Sequence, residues 1–156
     1  MAGDAAPIRP ATAADAAVAA ELLHRFNCEY DEPTPALEEL TQRIAELLAN
    51  GDTEILLAGD EACGIAVMRF RRSIWTKGLE CYVAELYVVP GRRGRGIGRA
   101  LMLEAMATAR AHGADYMDLG TSEDDVAARA LYESLGFDNH EGKPGGPVNY
   151  YYEREL

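Results

Sequence analysis

Residues 85–102 read ELYVVPGRRGRGIGRALM. A β-prone run from Glu85 to Val89 stops at Pro90, and apolar residues resume at helical spacing from Ile97. Between them, positions 92 to 99 hold four arginines and three glycines, in a chain whose formal net charge is −11. A glycine-rich turn between a strand and a helix is the makings of a phosphate cradle. Glycine lets the backbone approach a ligand, and the helix start supplies unpaired N–H groups and the positive end of its dipole. The arginines add charge-assisted hydrogen bonds, so a diphosphate is the expected partner.

Two other phosphate loops fail on these residues. The nucleotide-triphosphate loop requires Gly-Lys-Ser/Thr after its spacer, but Ile97 and Gly98 follow Gly96. The dinucleotide fingerprint Gly-x-Gly-x-x-Gly started at Gly94 ends on Arg99, and started at Gly96 it ends on Leu101. An RNA-binding arginine-glycine tract would repeat in basic, disordered surroundings, which are absent here. The pattern that fits is Arg-x-x-Gly-x-Gly, on Arg93, Gly96 and Gly98.

Outward from this stretch the chain reads as alternating strands and helices. Ile8 to Pro10 is a short strand, and Thr12 with Asp15 forms a capping-box-like helix start. Val18, Leu22 and Phe26, with Leu23 beside them, follow at helical spacing. Thr34 and Pro35 open a second helix with apolar Leu37, Leu40, Ile44, Leu47 and Leu48, closed by Asn50-Gly51. TEILLAG and ACGIAVMRFR are strands joined near Gly59-Asp60. SIWTKGL is a loop, ECYVAELYVVP a long strand, and YMDLG a short buried strand. SEDDVAARALYESLG is a helix with Ser122 and Asp125 as capping candidates and Gly136 as its stop. FDNHEG and VNYYYERE, joined by KPGGP, are read as a final strand pair. The pattern is a single mixed α/β domain over residues 1–156.

ELYVVPGRRGRGIGRALM resembles the acetyl-CoA-binding motif of the GNAT family of N-acetyltransferases, and DDVAARALYESLGF resembles the family's second signature, Asn-x-x-Ala-x-x-Leu-Tyr-x-x-x-Gly-Phe. The two blocks cover about a third of the chain at the family's usual separation. The resemblance implies a mixed, mostly antiparallel sheet of six to seven strands flanked by about four helices. It implies acetyl-CoA as acetyl donor. Its diphosphate would lie on the backbone amides of Arg93, Gly94, Arg95, Gly96, Ile97, Gly98 and Arg99. The pantetheine arm would lie along Leu86, Tyr87 and Val88, on a strand that splays from its neighbour. Tyr132 would be the acid near the departing sulfur. The motif's asparagine falls on Asp125, which accepts but does not donate hydrogen bonds to the pantetheine amides and can also serve as a helix cap.

An alkylamine is almost wholly protonated at neutral pH, so attack on a thioester calls for a base. Glu85 is the candidate, since the resemblance implies a glutamate base before the Leu-Tyr-Val stretch in some relatives; alternation puts it on the strand face opposite Leu86 and Val88, with a structural or substrate-orienting carboxylate as the competing role. Asp118, Glu123 and Asp124 are alternatives, since Gly120 carries no carboxylate. FNCEYDEP lies where the family builds its acceptor wall. Glu29, Asp31 and Glu32 are therefore candidates to receive a cationic amine, with Phe26, Tyr30 and Trp75 as apolar lining. The acceptors in view are a polyamine, an aminoglycoside-like amine, an amino acid, or a protein lysine or N-terminus. The competing class is an acyl-CoA-binding sensor without turnover.

Composition agrees. A hydrophobic fraction of 48% supports a core. The acidic balance argues against nucleic-acid or anionic-membrane binding and suits a cationic substrate. The N-terminal stretch is alanine-rich but broken by Asp4, Arg9 and Asp15, unlike a signal peptide. No apolar run reaches membrane-span length. Cys28, Cys63 and Cys81 share no short spacing, and neither they nor the three histidines form a metal-ligand pattern. A cytoplasmic protein without a metal is expected. The tyrosine-rich end could pair between copies in a homodimer.

Overall fold

The computed structural model describes residues 6–156, so Asp4 lies outside the described residues. The chain divides into two compact units, Met1–Leu119 and Gly120–Leu156.

The first unit is a sheet with helices on both faces. Its five strands are β1 (Ile8–Pro10), β2 (Thr53–Ala58), β3 (Gly64–Arg72), β4 (Leu79–Val88) and β5 (Ala114–Leu119), lying in sequence order. The first four are antiparallel neighbours, while β5 runs parallel to β4. That parallel step requires a crossover, supplied by helix α3 (Ile97–Ala111). Helices α1 (Ala16–Glu29) and α2 (Leu37–Asn50) precede β2.

Alternation along the strands makes two cores. Ile55, Leu57, Ile65, Val67 and Tyr87 pack with Ala16, Ala19, Ala20 and Leu22 of α1 and Ile44 of α2. Leu56, Ala58, Ala66, Met68 and Cys81 pack with Ile97, Leu101, Ala105 and Ala109 of α3. The alanines of α1 let it lie close to the sheet. Val18, expected on the buried stripe, is instead 39% exposed.

Boundaries follow capping chemistry, with two adjustments. Thr12 donates its backbone N–H to Asp15 (2.8 Å), as the capping box requires, but a single 3₁₀ turn at Ala13–Asp15 precedes α1. Helix α2 starts at Leu37 after an extended Ala36, so Pro35 lies before the helix rather than in its first turn. It ends on Gly51 in the left-handed conformation, as expected.

The second unit contains α4 (Val126–Ser134). The Asp125 side chain caps it by accepting from the Ala128 N–H (3.0 Å), a role Ser122 does not take. Three expectations are corrected. The sheet has five strands among the described residues, not six to seven. FDNHEG and VNYYYERE meet only in one bridge, His140 with Val148, around the KPGGP turn. Pro147 has no N–H to extend that ladder, and Tyr150, Tyr151 and Tyr152 are exposed. YMDLG is also not buried: β5 is the last strand of the sheet, and Tyr116 is 56% exposed.

Candidate active site

Strand β4 changes character halfway along. From Leu79 to Val83 it pairs with β3 on one side and β5 on the other, and the β5 register stops at Val83 opposite Leu119. Beyond that, only β3 is a partner. At the changeover Val67 faces Glu85 while Met68 faces Val83, which leaves Ala84 as the extra residue of a β-bulge. The bulge resets the alternation. Cys81 belongs to the α3 side and Ala84 and Tyr87 to the α1–α2 side. Glu85, paired with Val67, takes the same side as Tyr87 and opposes Leu86 and Val88, as the alternation expects.

The open half presents backbone polar groups. The Val89 N–H donates to Cys63 O (2.9 Å). In an antiparallel ladder the amide and carbonyl of Tyr87 then also face β3, and those of Leu86 and Val88 face the open edge. The pairing with β5 thus stops in the stretch where the family resemblance implies a splay.

The chain next makes a 3₁₀ turn at Pro90–Arg92 and enters α3 through Gly94 (φ +74°) and Gly96 (φ +79°). Residues with a Cβ rarely adopt these angles. A Cβ at either position would meet nothing within 4 Å, so the backbone conformation, not crowding, calls for glycine. Gly96 is the N-cap of α3 and makes no side-chain capping bond. The first N–H groups of α3 are thus left without the usual Ser, Thr or Asp cap, at the positive end of the helix dipole.

The side chains around this corner are less free than the sequence suggests. Arg93 donates from Nε to Val88 O (2.8 Å) and from Nη2 to Glu29 Oε2 (2.6 Å). Its guanidinium lies over the Tyr87 ring, 5.6 Å from the centroid. Tyr87 Oη donates to Glu29 Oε1 (3.1 Å), and the Tyr87 ring stacks on Phe26 at 4.9 Å. Both oxygens of Glu29 are therefore engaged. Asp31 and Glu32 are exposed just beyond, with Asp31 at φ +54°. Their loop is tied back to α1 by the Glu32 N–H to Asn27 O (2.8 Å) and Asn27 Nδ2 to Pro33 O (2.9 Å).

Burial raises the Glu85 carboxyl above the usual carboxylate range. On the same sheet face, burial also raises Asp118, and its Oδ1 is buried without a hydrogen-bond partner among the described residues. Arg71 pairs with Glu80 (2.6 Å) and lies 3.8 Å from Asp118. The sequence reading missed Arg71 and Glu80, because pairing across strands, not local spacing, brings them to Asp118. Trp75 is 87% exposed in the β3–β4 turn. It sits at the far end of β4 from Arg93, about 30 Å along a ten-residue strand, so the fold does not bring it to the glycine loop. In the second unit, Tyr132 is buried in α4 with its ring edge-on to Phe137 (6.1 Å). Burial, then the nearby Asp125 charge, pushes its phenol up to about 12.

Among the described residues no group of His, Cys, Asp or Glu is arranged to hold a metal, and no helix is long and apolar enough to cross a membrane.

Comparison with known proteins bears on this corner directly. An aminoglycoside N(6')-acetyltransferase type 1 from Stenotrophomonas maltophilia is 35% identical over 146 residues, covering 90% of this chain and 92% of that protein. A mycothiol acetyltransferase from Beutenbergia cavernae is 43% identical over 68 residues, which is 42% of this chain but only 23% of that longer protein. A crystal structure from Arthrobacter sp. FB24, provisionally described as an acetyltransferase, superposes with a TM-score of 0.90 at 40% identity, covering 100% of this chain and 99% of that one. The sequence pattern of the acetyltransferase (GNAT) family matches residues 19–137, which include the open half of β4, the glycine loop and Tyr132. The chain belongs to the acetyltransferase (GNAT) family and is an enzyme of acetyl transfer.

Proposed function

We propose that this enzyme, a single domain over residues 1–156, transfers the acetyl group of acetyl-CoA to a primary amine of a cationic small molecule. The observation that carries the reading is the open half of β4, running directly into the uncapped start of α3. In this reading Leu86, Tyr87 and Val88 line the pantetheine arm, which takes the place of a further strand at the open edge. The backbone of Arg93, Gly94, Arg95, Gly96, Ile97, Gly98 and Arg99 cradles the diphosphate. Asp125 spends Oδ1 on its helix cap, leaving its second oxygen to accept from a pantetheine amide.

The reaction is direct attack. Glu85 takes a proton from the ammonium, itself or through water, and the neutral amine nitrogen bonds to the thioester carbon. The C–S bond breaks, Tyr132 gives a proton to the departing sulfur, and the second proton that the acylated nitrogen must lose returns to the Tyr132 phenolate, directly or through water, leaving a neutral amide and a free thiol. A phenol raised to about 12 stays protonated at working pH, so it is ready to donate.

On the acceptor side, exposed Asp31 and Glu32 supply the negative wall. Trp75, at the far end of β4 from the glycine loop, takes no part in this reading. Glu29 enters through Arg93 rather than through the substrate, because its oxygens are already bonded. The whole-length relation to an aminoglycoside acetyltransferase favours a polyamine of aminoglycoside type over an amino acid or a protein lysine or N-terminus. A cytoplasmic setting, where acetyl-CoA is made and thiols stay reduced, belongs to the same reading and accords with three free cysteines. A homodimer joined through Tyr150–Tyr152 is part of it too, and sedimentation as a clean monomer at micromolar concentration would remove that part.

The test is thiol release from acetyl-CoA across aminoglycosides, linear polyamines, amino acids and a lysine peptide. Fastest release with an aminoglycoside or polyamine is expected. Tight acetyl-CoA binding with no release above background for any amine would overturn the acceptor class and favour a sensor of acyl-CoA.

A further inference from the structure

The Arg-x-x-Gly-x-Gly pattern invites the assumption that the Arg93 guanidinium reaches for phosphate. Its contacts say otherwise. Nε is spent on the Val88 carbonyl and Nη2 on Glu29, and the plane lies over Tyr87. Tyr87 itself donates to the other Glu29 oxygen and stacks on Phe26. Three separate pieces of chain meet in this cluster: the last residue of α1, the end of the open half of β4, and the first residue of the glycine loop. Exposed ion pairs contribute little when two long side chains must be ordered to make them. Here a ring stack and two further hydrogen bonds already order both partners, and the Glu29 side chain is 26% exposed.

We propose that Glu29 and Arg93 form a strut that holds the glycine loop in its phosphate-binding shape from the α1 side, so that Glu29 is a positioning residue for acetyl-CoA although it touches neither donor nor acceptor. The inference rests on the reading of that loop as the diphosphate cradle. Two glycines at positive φ make the loop pliable, since glycine samples both signs of φ freely. Arg93 pins the loop's leading end to Val88 and Glu29, and α3 pins its trailing end. Without the strut the amides of Gly94 to Gly98 must be ordered by the ligand, at a cost in affinity. The strut also joins the cradle to the segment carrying Asp31 and Glu32, which begins two residues after Glu29.

The experiment is a double-mutant cycle read by titration calorimetry with coenzyme A and by steady-state kinetics with a working amine. Glu29→Ala and Arg93→Ala are each expected to weaken coenzyme A binding about tenfold, and the double variant is expected to lose no more than about twofold beyond either. In the kinetics the loss is carried mainly by KM for acetyl-CoA, which is expected to rise more than kcat falls in each variant. The exchange Glu29→Arg with Arg93→Glu, and separately the conservative Arg93→Lys, should recover part of the loss. A guanidinium that bound phosphate directly gives the opposite sign at Glu29: freeing Arg93 by Glu29→Ala would leave binding unchanged or tighten it. That result, or additive losses in the cycle, would overturn the strut while leaving the cradle intact. Failure of the wild-type protein to bind coenzyme A at all would overturn both.

Discussion

The two halves of β4 belong to one ten-residue strand and do different things. From Leu79 to Val83 the strand is paired on both sides, and Cys81 is fully buried against the α3 core. From Ala84 to Val88 it keeps β3 but has no partner in β5, and the amides of Leu86 and Val88 face an edge that leads to the start of α3, where the Val88 carbonyl accepts from Arg93. The bulge at Ala84 separates them. A sheet edge is normally a hazard that must be covered. Here it is limited to one half-strand that leads to the uncapped start of α3, where the proposed function seats an extended ligand. The difference teaches that an unpaired half-strand arises here from the early end of β5, not from special residue types on β4.

If the open half is the chemical half, the largest losses fall on the groups to which the proposed reaction assigns proton transfer. Tyr132→Phe is expected to lower kcat about 10²–10³-fold with acetyl-CoA affinity unchanged, and unchanged turnover would remove Tyr132 as the acid. Glu85→Gln should lower kcat/KM about 100-fold and abolish the rise of activity with pH. That rise belongs to loss of the Glu85 proton, and burial holds its midpoint above the ordinary carboxylate range. The same shift gives a stability signature. Between the unfolded and folded pKa the native state binds more protons, so wild type loses stability relative to Glu85→Gln as pH rises through that window. Denaturant melts of both proteins between pH 4 and pH 7 would expose a wrong sign.

Gly96→Ala comes next: about tenfold weaker coenzyme A binding, from a left-handed backbone that costs an ordinary residue roughly 1–2 kcal/mol. The smallest kinetic effect is expected in the paired half. Cys81→Ala should cost about 1 kcal/mol of stability and shift Tm by a few degrees, with kcat and KM at wild-type values. Burial, with the Asp118 charge, pushes the Cys81 thiol up to about 11, so alkylation at neutral pH should label Cys28 and leave Cys81 untouched. A kinetic defect in Cys81→Ala would erase the distinction between the halves.

Much of this corner was legible in the sequence because it depends on local chemistry. Gly94 and Gly96 occupy angles that favour glycine, Pro90 closes the strand, and Asp125 caps α4 as its position suggests. What was not legible depends on partners far along the chain. Nothing in the identity of Ala84 signals a bulge, and the partner of Arg93 lies 64 residues away. Glu29 therefore reads as one acid among three when its contacts set it apart. The final strands were over-read for a related reason. VNYYYERE has strand-like composition, but β-propensity expresses itself only against a neighbour, and its link to FDNHEG is a single bridge.

The most direct test is amide hydrogen exchange on the intact protein with and without saturating coenzyme A. The account predicts new protection at Leu86 and Val88 and at the first amides of α3, Ile97 and Gly98, with no change from Leu79 to Val83. Coenzyme A bound with Leu86 and Val88 exchanging as fast as in the free protein would contradict it.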